Sequence, residues 1–307
     1  RLGQAAVAGD QHGAVGGAWV MTFFGTKPDG FSKSAVHKVG RNLREGEPFN
    51  EEVFDAFMEH QARMCDEVSR TVQDAMDSLI APYNSQQEPV RPNSGAYFLS
   101  ARPKTTTTLV EKLRRMPKTP LENILDVAGA RIDCDMTLRE QSELAEVIKK
   151  NLLHAGVDKV NESDLRDTPH SGYRAFHLHI FSSAGKAELQ IRTPLQAQWA
   201  NLYEVAADIY GRDIRYLEFG AEIDPRAQDE VEKLHQLSAM VARLETAEDA
   251  LTSPFSGGRP PARSGIAADI RELKHTVYGI LSDTEARLIE ARARKTSKGA
   301  GAQCPRS

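Results

Sequence analysis

The chain has 307 residues, 40% of them hydrophobic and 27% charged, and a net charge of -4. These values are typical of soluble globular proteins that form one large domain or two small ones. They exclude a uniformly basic nucleic-acid surface, and the three cysteines, which show no paired spacing, exclude a disulfide framework. The apolar runs are shorter than the ~20 residues of a membrane span. We therefore expect a cytoplasmic protein with no membrane partner.

The first part of the chain is predicted to be helical. We treat residues 1–30 as an upstream or disordered extension, with Met21 as a candidate start. Capping residues and apolar spacing predict helices over residues 32–44 and 50–80. A polar loop over 84–95, a strand over 96–103 and a basic helix over 105–116 follow.

The middle of the chain alternates strands and helices. The pattern predicts a strand over residues 128–135, a helix over 138–154, a hairpin over 173–192 and a helix over 194–210. This order predicts an α/β (α+β) fold, in which helices flank a mixed sheet of about five strands.

The C-terminal part differs in composition, with more charged residues and no predicted strands. Charged helices are predicted over residues 226–250 and 266–294, with a Ser/Pro/Gly-rich linker between them. Their charges are typical of solvated helix faces and also of an oligomer interface. We divide the chain into an extension (1–30), N-terminal helices (31–90), a central domain (91–220), C-terminal helices (221–295) and a disordered tail (296–307).

The hairpin has one apolar face and one chemically rich face. Side chains alternate along a strand, so residues two apart share a face. Leu189 and Ile191 lie on the apolar side of the second strand. The polar side collects six side chains, which are Tyr173, His177, His179, Glu188, Gln190 and Arg192. Such a set is unusual for an ordinary solvent-exposed face, although each residue alone is not.

A basic cluster precedes the hairpin. Arg102 and Lys104 end the strand over 96–103, and Lys112 and Arg115 follow on the next helix. Forked guanidinium donors and compact ammonium charges suit a triphosphate. A solvated basic face is the alternative for this segment taken alone.

Asp126 and Arg131 bracket the start of the strand over 128–135. A carboxylate at Asp126 is a candidate Mg²⁺ ligand, because Mg²⁺ prefers one or two carboxylates together with substrate phosphates. A simple turn residue is the alternative. Tyr173 opens the hairpin directly after Gly172, where its ring is suited to stacking on a nucleobase or to packing at a strand end.

Four blocks, in this order, resemble the synthetase domain of the RelA/SpoT family over about residues 95–216. The blocks are Arg102-Pro-Lys104, Asp126-Val-Ala-Gly-Ala-Arg131, Gly172-Tyr-Arg-Ala-Phe-His177, and Glu188-Leu-Gln-Ile-Arg192-Thr193 with Trp199 downstream. The last block and its spacing from the third are the most specific. The chain is similar to a small, single-domain alarmone synthetase.

The resemblance implies a nucleotidyltransferase-like fold and a Mg²⁺-dependent pyrophosphokinase that moves the β,γ-pyrophosphate of ATP to the 3′-hydroxyl of GDP or GTP, giving (p)ppGpp. It implies metal ligands at Asp126 and Glu188, and a catalytic set of Glu188, Asp126 and Gln190. The implied ATP-binding residues are Arg102, Lys104, Lys112, Arg115 and Arg131. The implied acceptor-binding residues are Tyr173, His177, Arg192 and His170. A homo-oligomer is expected.

Two departures from the family pattern fall on the acceptor side. His170 stands where the family commonly has Lys, and Tyr203-Glu204 stands where it often has Glu-His. The acceptor therefore remains open between a guanosine nucleotide and the 3′ end of tRNA, the substrate of toxin-type relatives that pair with an antitoxin. A non-catalytic nucleotide-binding module, acting through its C-terminal helices, is the alternative of another class.

Overall fold

The computed structural model describes residues 22–79, 83–167, 169, 171–212, 214, 225–252 and 263–300. Residues 1–21 of the predicted extension, residues 80–82, His170 and most of the interhelical linker lie outside these ranges. The prediction of a disordered or upstream extension is wrong for residues 22–30, because Phe24 is buried in the main core and its carbonyl accepts from Ala184 N. None of the helices within them combines the length and apolar character needed to cross a membrane.

A mixed six-stranded sheet forms the centre of the molecule. Its strands are β1 (Asn84–Ser85), β2 (Ala96–Pro103), β3 (Ala128–Cys134), β4 (Lys159–Asp164), β5 (Phe176–Ser182) and β6 (Gly185–Arg192). Their spatial order is β1-β2-β3-β6-β5-β4. β3 and β6 are parallel neighbours, while β2–β3, β5–β6 and β4–β5 pair antiparallel. The two central strands are therefore distant in sequence.

One face of the sheet is the main core. Helices α2 (Glu51–Asp77) and α4 (Leu138–His154) cover it. Met64 and Val68 of α2 and Ile148 of α4 are fully buried against Ile132, Leu178 and Leu189 of the sheet. Local capping fixes where these helices begin, because Asn50 Oδ1 accepts from Val53 N and Thr137 forms a capping box with Glu140.

The other helices form two smaller clusters. Helices α1 (Lys33–Glu45) and α3 (Thr106–Arg115) pack together with the first turns of α2. Helices α5 (Pro194–Tyr210), α6 (Pro225–Thr252) and α7 (Arg263–Ala300) share a second cluster around Trp199, Leu234 and Leu281. This bundle lies beside the C-terminal end of β6, because α5 follows that strand after a single residue.

The predicted fold class, a mixed sheet flanked by helices, is confirmed, and four details differ. The predicted polar loop over 84–95 contains β1, which pairs with β2 but has only two residues, too few to show alternation. β4 was missed because Lys159–Asp164 carries one apolar residue and is an edge strand, where alternation is weak. β5 begins at Phe176, since Tyr173 belongs to the preceding turn. Helix α7 continues to Ala300, six residues beyond the predicted end.

Candidate active site

The face of the sheet opposite the core presents its side chains in rows, because residues paired across strands point to the same side. The first row contains Arg102, Gly129, Glu188 and His179. The second row contains Ser100, Arg131, Gln190 and His177. The third row places Asp133 beside Arg192. Six of the predicted site residues therefore share one surface of four strands.

Glu188 lies at the centre of the first row. Its side chain is 13% exposed and faces two imidazoles, at 3.7 Å from Oε1 to His177 Nδ1 and 3.6 Å from Oε2 to His179 Nε2. Gln190 Nε2 donates to Glu188 Oε1 at 2.9 Å. The carboxylate is therefore held in place while each imidazole lies just beyond hydrogen-bonding distance.

Tyr173 connects the two rows although it lies outside the strand. Its hydroxyl donates to Gln190 Oε1 at 3.2 Å and lies 3.1 Å from His177 Nε2. Burial lowers the pKa of His177, and the nearby Glu188 carboxylate only partly offsets this effect. Burial also raises the pKa of the Tyr173 hydroxyl. Both groups are therefore neutral near pH 7, and they form a polar chain that ends at Glu188.

Asp126 lies between two ammonium groups. Lys104 Nζ is 2.9 Å from its Oδ2, and Lys112 Nζ is 2.5 Å from its Oδ1. Burial alone would raise the pKa of Asp126, but the two lysines outweigh it and lower the pKa. The structure thus brings Lys104, Lys112 and Asp126 together, with the carboxylate serving as counter-ion to both lysines.

The structure places the three remaining predicted ATP-binding residues, all arginines, on different elements. Arg102 is exposed at the end of β2. Arg131 forms an ion pair with Glu88 at 2.7 Å and is 27% exposed. Arg115 is exposed at the last turn of α3. Arg102 and Arg131 therefore belong to the polar face, whereas Arg115 lies at its periphery on another element.

Arg192 is buried in an ion pair with Asp133. Its guanidinium is 4% exposed and donates to both oxygens of Asp133, at 2.8 and 3.0 Å. Burial would lower the pKa of Arg192, but the Asp133 pair outweighs it and raises the pKa. A bidentate pair buried this deeply leaves little surface for a ligand. The predicted acceptor role of Arg192 gains no support from this geometry.

Helix α6 braces the turn that carries Tyr173. Ser238 Oγ donates to the carbonyl of Gly172 at 2.5 Å and accepts from Arg174 Nε at 3.0 Å. Gly172 has φ +82° and would place a Cβ 2.8 Å from the ring of Trp199, so only glycine fits. The C-terminal bundle therefore sets the position of Tyr173.

The roles of Ser238 and Glu245 were not predicted from the sequence, although one feature of the pattern on α6 indicates them. Ser238 and Glu245 continue the buried stripe of Val231, Leu234 and Val241 on α6, at helical spacing. Polar residues at such positions need partners, and Glu245 binds Thr193 and Gln196 at the start of α5.

The two family departures can be located in part. His170 lies outside the described residues. Tyr203 is buried, stacks on Trp199 at 4.7 Å between ring centroids and donates to the carbonyl of Ile214 at 2.8 Å. It therefore packs inside the helical bundle and has no place on the polar face.

The groups at Asp126 and Glu188 fit Mg²⁺ in kind, because both are carboxylates and Asp126 lies next to two ammonium groups that suit phosphates. Each oxygen of Asp126 is paired with an ammonium group. Glu188 is hydrogen-bonded through one oxygen to Gln190. A cation at Asp126 therefore requires that the lysines move to another anion.

Comparison with known proteins links these residues to a family. Residues 101–212 match the model described as "Region found in RelA / SpoT proteins". An uncharacterized protein of Mycobacterium bovis and one of Mycobacterium tuberculosis are each 50% identical over 119 residues, or 39% of this chain and 42% of theirs. The match spans about two-fifths of the length of these relatives.

Solved structures of small alarmone synthetase 1 from Bacillus subtilis are also similar. One is 19% identical, with a TM-score of 0.45 over 64% of this chain and 95% of that chain. Another, bound to AMPCPP, is 16% identical, with a TM-score of 0.42 over 65% of this chain and 97% of that chain. The likeness is loose, and the fold is established by the sheet topology given above.

Proposed function

We propose that this chain, which carries a RelA/SpoT region over residues 101–212, is a pyrophosphokinase that transfers the β,γ-pyrophosphate of ATP to the 3′-hydroxyl of GDP or GTP. The observation that supports this best is the row Arg102–Gly129–Glu188–His179. In this row the cation Arg102, the space above Gly129 and the carboxylate of Glu188 follow one another across the adjacent strands β2, β3 and β6. The Lys104–Asp126–Lys112 group adds further charge near the start of β3.

On the donor side, the phosphates of ATP can replace Asp126 as the partner of Lys104 and Lys112. Lys104 and Lys112 are partly exposed, at 28% and 20%, and share one carboxylate. A triphosphate offers them several oxygens and more negative charge than Asp126 does, so ATP competes for both ammonium groups. Asp126 is then released to share a cation with the phosphates. When bound with ATP, Mg²⁺ would be held by Asp126 and Glu188 and would neutralise charge on the phosphate oxygens.

The chemical step needs a proton acceptor near the attacking hydroxyl. The 3′-oxygen of the acceptor bonds to the β-phosphorus of ATP, the bond from that phosphorus to the α–β bridging oxygen breaks, and AMP leaves. We assign the 3′-hydroxyl proton to Glu188, which Gln190 orients. His177 is the second candidate, because burial lowers the pKa of its imidazole and so weakens it as a proton acceptor.

On the acceptor side we assign the guanine base to the neighbourhood of Tyr173. The ring is half-buried, and its hydroxyl is engaged by His177 and Gln190. The turn that carries it is fixed by Ser238 and Trp199. A ring held in this way is pre-organised for stacking, because little side-chain entropy is lost when a base binds.

The test is product identification with γ-labelled ATP and, separately, GDP, GTP or bulk tRNA. The proposal expects labelled (p)ppGpp from the guanosine nucleotides. Label on tRNA alone would favour the toxin-type activity with its antitoxin partner. Binding of ATP without transfer to any acceptor would favour the non-catalytic module, and either result would overturn the proposal.

A further inference from the structure

Three potential metal ligands meet on the polar face. A nitrogen of His177, a nitrogen of His179 and a carboxylate oxygen of Glu188 all lie within 4.8 Å of one another. Within the described residues, this is the one group of three such side chains that close together. All three belong to the paired strands β5 and β6, so the backbone holds them in register.

The hydrogen-bond chain fixes which nitrogen of His177 faces the carboxylate as an acceptor. Gln190 donates its amide to Glu188, and Tyr173 donates its only hydroxyl proton to Gln190 Oε1. The Tyr173 oxygen must then accept from His177 Nε2–H. His177 Nδ1 is left with a bare lone pair that faces Glu188 Oε1 at 3.7 Å. Two electron pairs facing each other across this gap favour a cation between them.

The separations also suit a first-row transition metal. Bonds of 2.0–2.1 Å in a tetrahedral site place neighbouring ligand atoms about 3.4 Å apart. His177 Nδ1 lies 3.7 Å from Oε1 of Glu188 and His179 Nε2 lies 3.6 Å from its Oε2, each a few tenths of an ångström longer than this, and the three ligand atoms lie within 4.8 Å of one another. Small rotations of these side chains would be needed to bring one carboxylate oxygen and both imidazole nitrogens to bonding distance of a single ion.

We propose that His177 Nδ1, His179 Nε2 and Glu188 form a binding site for a divalent transition-metal ion of the imidazole-accepting class, such as Co²⁺ or Zn²⁺. Imidazole nitrogen suits such ions, whereas Mg²⁺ selects oxygen ligands. Two imidazoles and one carboxylate leave at least one coordination position open. Tyr173 acts as a positioning residue, because its bond to His177 Nε2 holds the ring with Nδ1 toward the metal.

The site rests on its own geometry, and only its use in catalysis depends on the proposed function. Two of its three ligands, Glu188 and His179, belong to the row that also contains Gly129 and Arg102. A phosphate or hydroxyl oxygen of a substrate in that row would have access to the ion. The polar face would therefore hold a transition-metal ion beside the substrates of the proposed reaction.

The test is a Co²⁺ titration of tag-free, metal-stripped full-length protein, followed by visible absorption. We expect one Co²⁺ per chain, retained in excess Mg²⁺. His179→Gln removes one imidazole at a partly exposed position and should raise the apparent Kd for Co²⁺ at least tenfold, roughly the smallest effect expected for lost ligation. His275→Gln, exposed on α7, is the matched control and should bind as the wild type does.

A second variant separates ligation from folding. Tyr173→Phe keeps the ring and removes the bond that orients His177, so Co²⁺ affinity should fall about 10- to 100-fold with an unchanged far-ultraviolet spectrum. The proposal is overturned if the wild type does not bind Co²⁺, if Mg²⁺ displaces it at equal concentration, or if His179→Gln binds it as tightly as the wild type. Those outcomes leave the label-transfer test of the proposed function unaffected.

Discussion

Arg102 on β2 and Glu188 on β6 lie in the same row of the sheet and are separated by Gly129, which has no side chain. Two strand spacings set their backbones about 10 Å apart. A Cβ at Gly129 would meet nothing closer than 3.8 Å, so the gap between the cation and the carboxylate is open. We infer that this gap admits the reacting phosphates.

Filling the gap should abolish turnover without harming the fold. Gly129→Ala and Gly129→Val suit a strand backbone, and replacing a strand glycine stabilises by roughly 0.5–1 kcal/mol. We expect an unchanged or higher melting temperature in both variants and a stepwise loss of turnover, with Val below Ala. Wild-type turnover in Gly129→Val would contradict the assignment of the gap.

The Lys112–Asp126 pair should report on ATP binding. Lys112→Met keeps the length of the side chain and removes one charge-assisted bond, so the Kd of a non-hydrolysable ATP analogue should rise about 10- to 100-fold. Calorimetry measures this change directly. Lys118→Met, at an exposed position after α3, is the control and should bind normally. Equal affinities in the two variants would remove Lys112 from the ATP site.

Loss of the Ser238 contacts between α6 and the turn that carries Tyr173 should weaken binding of the acceptor and leave ATP binding unchanged. Ser238→Ala removes the bond to the Gly172 carbonyl and the partner of Arg174. A buried group that loses its partner costs roughly 1–3 kcal/mol, so the acceptor KM should rise about tenfold or more. The Kd of the ATP analogue should not change. Thr246→Ala, exposed on the same helix, is the matched control. Equal changes in the acceptor KM and in the Kd of the ATP analogue for Ser238→Ala would indicate general destabilisation.

Glu245 should make stability depend on pH. Burial raises its pKa above 4.5, although Thr193, Gln196 and Lys274 favour the charged form. The folded state therefore binds more protons than the unfolded state, and this contribution to stability is complete below pH 4.5 and lost as pH rises through the raised pKa. Relative to Glu245→Gln, the free energy of unfolding of the wild type should decline over that window.

Urea unfolding at a series of pH values measures this difference. Glu248, whose pKa burial also raises, and Lys274 are present in both proteins, so the comparison measures Glu245 together with its electrostatic coupling to these two groups. Glu290→Gln, which alters a side chain that is 67% exposed, should track the wild type. A pH-independent difference between the wild type and Glu245→Gln would show that the carboxyl group does not titrate differently on folding.

Glu188→Gln tests the assignment of the base. The substitution keeps the size of the side chain and removes the charge, so turnover should fall by ~10²–10⁴. Folding should be retained, because the residue lies on the polar face opposite the core. Turnover near the wild-type value with intact structure would exclude Glu188 as the proton acceptor.

Local patterns in the sequence predicted much of the fold and of the site. Alternation placed His177, His179, Glu188 and Gln190 on one face, and the register of β5 with β6 confirms that grouping. A capping serine, Ser32 or Ser34, predicted the start of α1, and apolar spacing from Asn50 predicted α2; the structure has Ser32 and Asn50 as the two caps. These features depend on neighbours in sequence, which is why they could be read from it.

Long-range pairing could not be read in the same way. The Asp133–Arg192 ion pair requires that β3 and β6 be parallel neighbours, although 59 residues separate the two side chains. The contact of Ser238 with Gly172 depends on how α6 packs. Arg192 was consequently predicted to bind a ligand, because its buried partner is visible only in the tertiary structure.

The measurement that tests the central claim most directly is parallel transfer from β-labelled and γ-labelled ATP to GDP. Pyrophosphoryl transfer predicts that both labels enter the same product in equal amounts, with AMP released in equal quantity. Transfer of the γ label alone, or no transfer by folded protein that binds ATP, would contradict the account.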